Sequence, residues 1–164
     1  MLRLLEPPHF HLAIDDFNRM RAAERTRASQ KAELDDTLRK TRAGFHRAAV
    51  GMAAAGNNIV PDHVFSEPWR LHDCPELMVR YEVTFVGIFC SLAELERREL
   101  SRGNRVPGLA AGQLATVHAH DLYDVECDNT RNSARDCAQR IADFVSSGIR
   151  PTAFVRLRSA LPAR

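Results

Sequence analysis

Lysine is nearly absent from this chain: of 23 basic residues all but Lys31 and Lys40 are arginine, and neither lysine sits in a glycine-rich loop of the kind that grips phosphate. An excess of one charge sign is missing too. Lys+Arg of 23 against Asp+Glu of 21 leaves a formal net charge of +2, which provides no chain-wide field to hold nucleic acid or an anionic membrane. Aromatic residues make up 7% of the chain, too few for a platform on which single-stranded bases would stack. Long apolar runs are also lacking. The start, MLRLLEPPHF, breaks at two prolines before a signal-peptide core could form, and nothing downstream approaches a membrane span, so a cytoplasmic protein is expected. No pair among Cys74, Cys90, Cys127 and Cys137 has the spacing of a zinc knuckle or a redox CxxC, which leaves buried thiols in a reducing compartment as the expectation. No GxSxG elbow occurs, and no cysteine is set in fixed arrangement with a histidine, so hydrolase chemistry has no support.

What remains is a chain of 164 residues, 45% of them hydrophobic, enough for one domain with a real core. That domain is expected over residues 1–148, with 149–164 as a C-terminal tail. Phe10 to Ile14 reads as a strand running into Asp15 and Asp16 and then into a helix. Residues 24–37 are polar. From Leu38 the apolar positions Leu38, Phe45, Ala49 and Met52 share one helical face, which ends at Gly56, Asn57 and Asn58. Ile59 and Val60 lead through Pro61 to Asp62, a second strand closed by an acid. Val83 to Cys90 (VTFVGIFC) reads as a central parallel strand covered on both faces. Ser91 with Glu94 predicts a capping box, Glu94 with Arg98 a pair at helical spacing, and Gly103 a break. Pro107 opens a further helix to about His120, Tyr123 to Cys127 is a short strand, and Cys137, Ile141, Phe144 and Val145 mark the buried stripe of a last helix ending near Gly148. Alternating strands and helices give an α/β class with a mostly parallel sheet, whose functional groups should gather at the carboxyl ends of the strands.

Asp15 and Asp62 stand at such ends. Asp15 could accept a proton from a substrate hydroxyl, or it could cap the helix that follows. Asp62 could orient the hydration shell of Mg²⁺, or it could make a turn after Pro61. In SRGNR, Arg102 and Arg105 each carry a planar fork of donors that suits phosphate oxygens, and the same spacing is common on solvated helix surfaces. The pairs His9 with His11 and His118 with His120 lack the cysteines or carboxylates that would complete a tetrahedral metal site, Asp121 being the one weak addition.

Several segments carry a family resemblance when taken in order. RRELSRGNRVPGLAAGQLATVHAHDLYDVECDNTRNSARDCAQRIADFV is similar to a lid RGDR followed by a GxAxxQ helix, a VH, a YDxEVDT strand and a final helix. NNIVPDHVF is similar to a strand ending in DDVF, VTFVGIFC to a VxWVGVRC-like strand, and LLEPPHFHLAIDDF to an LPEPxxxxGVDxF segment. Together they resemble the chloramphenicol phosphotransferase family, small P-loop kinases that move the γ-phosphoryl of ATP to a hydroxyl of a small molecule. The resemblance runs from about Leu4 to Val145.

It implies ATP and Mg²⁺ as cofactors and a hydroxyl-bearing acceptor of antibiotic size, with no nucleic acid or membrane partner and no indication of oligomeric state. It implies that Asp15 is the base, that Arg102 and Arg105 are the lid arginines on the phosphates, and that Asp62 is the first acid of DDVF. Asp128, Thr130 and Arg131 fall in the loop beside the adenine.

Three positions depart from the pattern: His63 replaces the second acid of DDVF, Phe89 stands where arginine is frequent, and Asn104 replaces the acid of RGDR. The family's opening strand and GxxxxGK[ST] loop do not occur. The expectation is therefore an N-terminally truncated kinase-like chain without its phosphate cradle, inactive as given, or alternatively a non-catalytic remnant that binds a ligand or protein partner. The family's strand order 2-3-1-4-5 would leave a central slot between the strands near Ile59 and Val83. TAFVRL, Thr152 to Leu157, could fill that slot as a strand.

Overall fold

The computed structural model describes residues 1–22, 30–102 and 108–160. After a 3₁₀ turn at Leu2–Leu4, the chain forms strand β1 (His9–Ala13), helix α1 (Ile14–Arg19), helix α2 (Lys31–Ala54) and strand β2 (Asn58–Asp62). Helix α3 (Pro68–Leu77), strand β3 (Val86–Phe89), helix α4 (Leu92–Arg102) and helix α5 (Leu109–Val117) follow. Strand β4 (Val125–Asp128), helix α6 (Ala134–Ser146) and helix α7 (Ala153–Ala160) complete the order. The architecture is mixed α/β, with short parallel strand pairs flanked by helices.

β1 pairs with β2 in parallel, Phe10 opposite Ile59 and Ala13 opposite Asp62. β3 pairs with β4 in parallel, Val86 opposite Val125 and Phe89 opposite Asp128. Among the described residues no strand joins the two pairs. TAFVRL does not form a strand between them: Ala153–Ala160 is a helix. The physical reason is local. Asp124 Oδ1 accepts the backbone N–H groups of Thr152 at 2.7 Å and Ala153 at 2.9 Å, satisfying donors that a helix start leaves open. Ala153 and Leu157, one turn apart, then bury completely beside Cys74 and Met78. Much of the expected tail is thus a core helix.

The main core joins Ala49 of α2, Phe65, Cys74 and Met78 in and after α3's approach, Phe85, and Ala153 with Leu157 of α7. Phe65 and Phe85 meet edge to face, with ring centroids 5.2 Å apart, linking the segments that follow β2 and precede β3. A second cluster packs α6 on β4 through Val125, Cys127, Cys137 and Ile141. Each large side chain removed from water this way contributes about 1.5–3 kcal/mol.

Several local expectations need correction. VTFVGIFC is a strand only over Val86–Phe89, and Ile88 is 45% exposed; among the described residues β3 pairs with β4 alone. Ser91 Oγ accepts the Glu94 N–H at 3.4 Å, but the Glu94 carboxylate turns to Arg97 and Arg98 instead of closing the box. A reciprocal box forms elsewhere, between Ser133 and Asp136 at the start of α6. On α6 Val145 is exposed, whereas Ala138 and Ala142 are buried with Cys137 and Ile141. The α2 stripe holds at Phe45 and Ala49 and gains His46, and the helix starts earlier than expected, at Lys31. Gly56, just past its end, has φ +86°, which an L side chain rarely adopts.

Candidate active site

The parallel register of β1 and β2 fixes the geometry of the two strand-end acids. Ala13 lies opposite Asp62, and α1 begins at the next residue, so Asp15 projects from a first helical turn close beyond the strand end. Asp15 is exposed and does not cap α1: the N-cap is Ala13, with no side-chain cap bond. Asp16 is held by Arg19 one turn on. Among the described residues no hydrogen bond or ion pair engages the Asp15 carboxylate. It is available to a substrate. Asp62 is also open, its carboxylate 72% exposed, with His11 Nε2 at 3.5 Å.

The second group lies at the ends of β3 and β4. Asp128 Oδ1 accepts the Thr130 N–H at 2.8 Å, an Asx turn that folds the loop back on its own strand end. That bond and others from Thr130 and Arg131 hold the Asp128 carboxyl below its ordinary range. Thr130 Oγ1 accepts the Ser91 N–H at 2.7 Å, and Asn129 N–H donates to Phe89 O at 2.8 Å. The 128–131 loop is therefore stitched to the start of α4. Arg131 extends outward, 86% exposed, 3.6 Å from Asp128 Oδ2.

Arg98 completes the arrangement. Its Nη2 donates to Asn129 O at 3.0 Å and its Nε to Glu94 Oε1 at 2.7 Å. The helical spacing pairs Arg98 with Glu94 but carries no sign of its hold on the loop; a bond across 31 positions leaves no local pattern. A cavity of about 470 Å³ opens beside the same strand end, lined by Phe89, Glu126, Asp128, Asn132, Asp136 and Arg140. It includes Asp128 but neither Asp15 nor Asp62.

Of the two arginines expected to form a lid, Arg102 is the last residue of α4, and Arg105 lies outside the described residues. Of the histidine pairs, His9 Nδ1 is 2.6 Å from Pro7 O and His118 Nδ1 2.6 Å from Tyr123 Oη. Of their partners, His11 lies across the sheet beside Asp62, and His120 Nδ1 accepts the Leu122 N–H at 3.1 Å. No described helix is long and apolar enough to cross a membrane.

A family model described as chloramphenicol phosphotransferase-like protein matches residues 1–146. The chain belongs to this family. Its α/β elements are those of the family's P-loop kinase-like fold. Two proteins of Mycobacterium tuberculosis, from strains CDC 1551 and H37Rv, are each 33% identical over 113 residues, which is 69% of this chain and 50% of theirs. Both carry the name "Putative O-phosphotransferase". The chain spans about half the length of the curated relatives it matches.

As a chloramphenicol phosphotransferase-like protein, the chain presents donors of the right chemistry for its family's cofactors. Mg²⁺ is bound through one or two carboxylates together with waters and phosphate oxygens, and Asp62 is an exposed carboxylate of that chemistry. β2 ends on Asp62, and the next residue is His63.

Proposed function

We propose that this chain carries the acceptor side and the lid of an ATP-dependent O-phosphotransferase acting on a hydroxyl of a small molecule. The reading rests above all on the β1–β2 register, which sets an unengaged Asp15 beside the strand end that carries Asp62, in a chain of this family. In the proposed reaction the acceptor oxygen attacks the γ-phosphorus, the bond from that phosphorus to the β–γ bridging oxygen breaks, ADP leaves, and the hydroxyl proton passes to Asp15. Mg²⁺, when bound, neutralises charge that develops on the phosphate oxygens. Asp62 would hold it, and Arg102 and Arg105 would clamp the transferred group. Asp128, Thr130 and Arg131 would border the base, beside the cavity at the end of β4.

The 164 residues contain no GxxxxGK[ST], and positioning with charge stabilisation supplies nearly all of the catalysis in this chemistry. The chain alone is therefore expected to transfer no phosphate. Activity should appear when a strand–GxxxxGK[ST]–helix segment from a family member is fused ahead of it, assayed with γ-labelled ATP against a panel of hydroxyl compounds. In that fusion Asp15→Asn should lower kcat by about 10²-fold or more with little change in ATP affinity. Equal turnover would remove Asp15 from its role.

The absence of the phosphate loop favours one second reading, a non-catalytic binder of a ligand or protein partner. Calorimetry separates the two: a fusion that binds no ATP in the presence of Mg²⁺ leaves only the binder.

A further inference from the structure

Three side chains that the phosphoryl-transfer reading does not use converge inside the molecule. His46 comes from α2, His63 follows the last residue of β2, and Cys74 lies on α3. One ligand atom from each lies within 4.8 Å of the others. His46 and Cys74 are 1% and 2% exposed. We propose that His46, His63 and Cys74 form a binding site for a thiophilic transition-metal cation of the Zn²⁺ type.

The decisive observation is the ring of His46. Its Nδ1 lies 2.7 Å from Asp73 Oδ2, so Nδ1 carries the proton and donates it to the carboxylate. Nε2 is then a lone-pair acceptor, and it is buried with no hydrogen-bond partner. Buried polar atoms are nearly always satisfied. A carboxylate holding the far nitrogen of an imidazole, with the near nitrogen bare, is how proteins orient a histidine toward a metal. His63 is the neighbouring ring, with centroids 5.0 Å apart.

The protonation states agree. Burial, then the nearby His46 and Arg70, pull the His63 pKa down to about 3, and burial lowers that of His46, the direction that favours metal binding. Burial and Asp73 push the Cys74 thiol up to about 12. A bound cation reverses that preference, because a coordinating thiol gives up its proton outright. A divalent ion with one thiolate leaves a single positive charge, and the Asp73 carboxylate lies behind His46. The Arg70 guanidinium, also near, shares the Glu67 carboxylate with Arg42, at 2.6 Å and 2.8 Å, and Arg47 lies 3.5 Å from Asp73.

Two imidazoles and a thiolate select thiophilic cations over Mg²⁺ or Ca²⁺, which take oxygen ligands. Met78 adds a soft sulfur at the edge, its Sδ 3.9 Å from Cys74 Sγ. Metal bonds of about 2.0–2.3 Å would draw the ligand atoms inward. The site would tie α2 and α3 to the carboxyl end of β2, one residue from Asp62, and it stands independently of the phosphotransferase reading.

The test is a Co²⁺ titration of the chelator-treated chain, with Zn²⁺ as competitor. One ion should bind per chain, a thiolate-to-cobalt charge-transfer band should appear in the near ultraviolet, and Zn²⁺ should abolish it. Cys74→Ser should remove the band and Cys90→Ser should keep it. Asp73→Asn should weaken affinity by about 10–100-fold without removing the band. Should Cys74→Ser fail to fold, as judged by circular dichroism, His63→Asn at a partly exposed position gives the same reading through a loss of affinity of at least about 10-fold. Absence of a band in the unaltered chain, a band that survives Cys74→Ser, or affinity indifferent to His63→Asn overturns the site.

Discussion

Glu94 accepts two guanidinium groups from the following turn of α4, Arg97 Nε at 2.6 Å and Arg98 Nε at 2.7 Å. These bonds, Arg97 first and Arg98 second, bring its carboxyl down to about 2. Because the folded value lies below the unfolded one, the pairing is complete above the ordinary carboxylate range and is lost as pH falls through about 2. The side-chain carboxyl resonance should therefore titrate near that value, and Arg98→Ala should move it upward. The same substitution takes the donor from Asn129 O, so amide exchange at residues 129–131 should speed up, whereas Arg97→Ala should leave that loop protected. The Glu94–Arg98 pair was legible in the sequence because a helix makes neighbours of residues four apart. The cluster of His46, His63 and Cys74 was not. Its members come from three segments, and the rule that could have found them, that a histidine replacing a carboxylate at a strand end keeps a metal-ligating nitrogen there, points to no partner until the chain is folded.

Ser133 and Asp136 satisfy each other's backbone donors at the start of α6: Ser133 Oγ accepts the Asp136 N–H at 3.2 Å, and Asp136 Oδ2 accepts the Ser133 N–H at 3.1 Å. Ser133→Ala should cost about 1 kcal/mol of stability, measured by urea denaturation with the slope unchanged. The helix begins within a few residues of β4, so its loss would also loosen Cys137 and Ile141 from Val125 and Cys127. Elements with a strong period or a clear stop were readable: β1 from its apolar run into two acids, α2 from Phe45 and Ala49, β2 from Pro61 and Asp62. Length was harder. VTFVGIFC looks continuous because apolar residues are needed on both sides of Phe85, but only four of its residues find a ladder partner. Val83 and Phe85 serve the core instead, and burial alone does not make a strand.

At the scale of the molecule, the strand pairs are held together by side chains rather than by a continuous ladder, and α7 is central to that hold. Leu157 is 1% exposed and Ala153 wholly buried, both in the cluster that contains Phe65 and Phe85. Leu157→Ala should destabilise the protein by about 2–5 kcal/mol, and a chain ending at residue 148 should lose its cooperative thermal transition and bind a hydrophobic dye. An unchanged melt for the shorter chain would show that α7 is dispensable. The parallel α/β class could be read in advance, since strand-end acids and apolar runs mark its strands. The role of residues 153–160 could not: AFVRLRSA is apolar enough for either structure, and the choice falls to Asp124, which caps the segment from 28 positions away. Protein synthesis meets this arrangement in a fixed order. The surface of Ala49, Cys74 and Met78 that Leu157 covers is made well before residue 157 leaves the ribosome, so until then it is open to chaperones that hold exposed apolar surface.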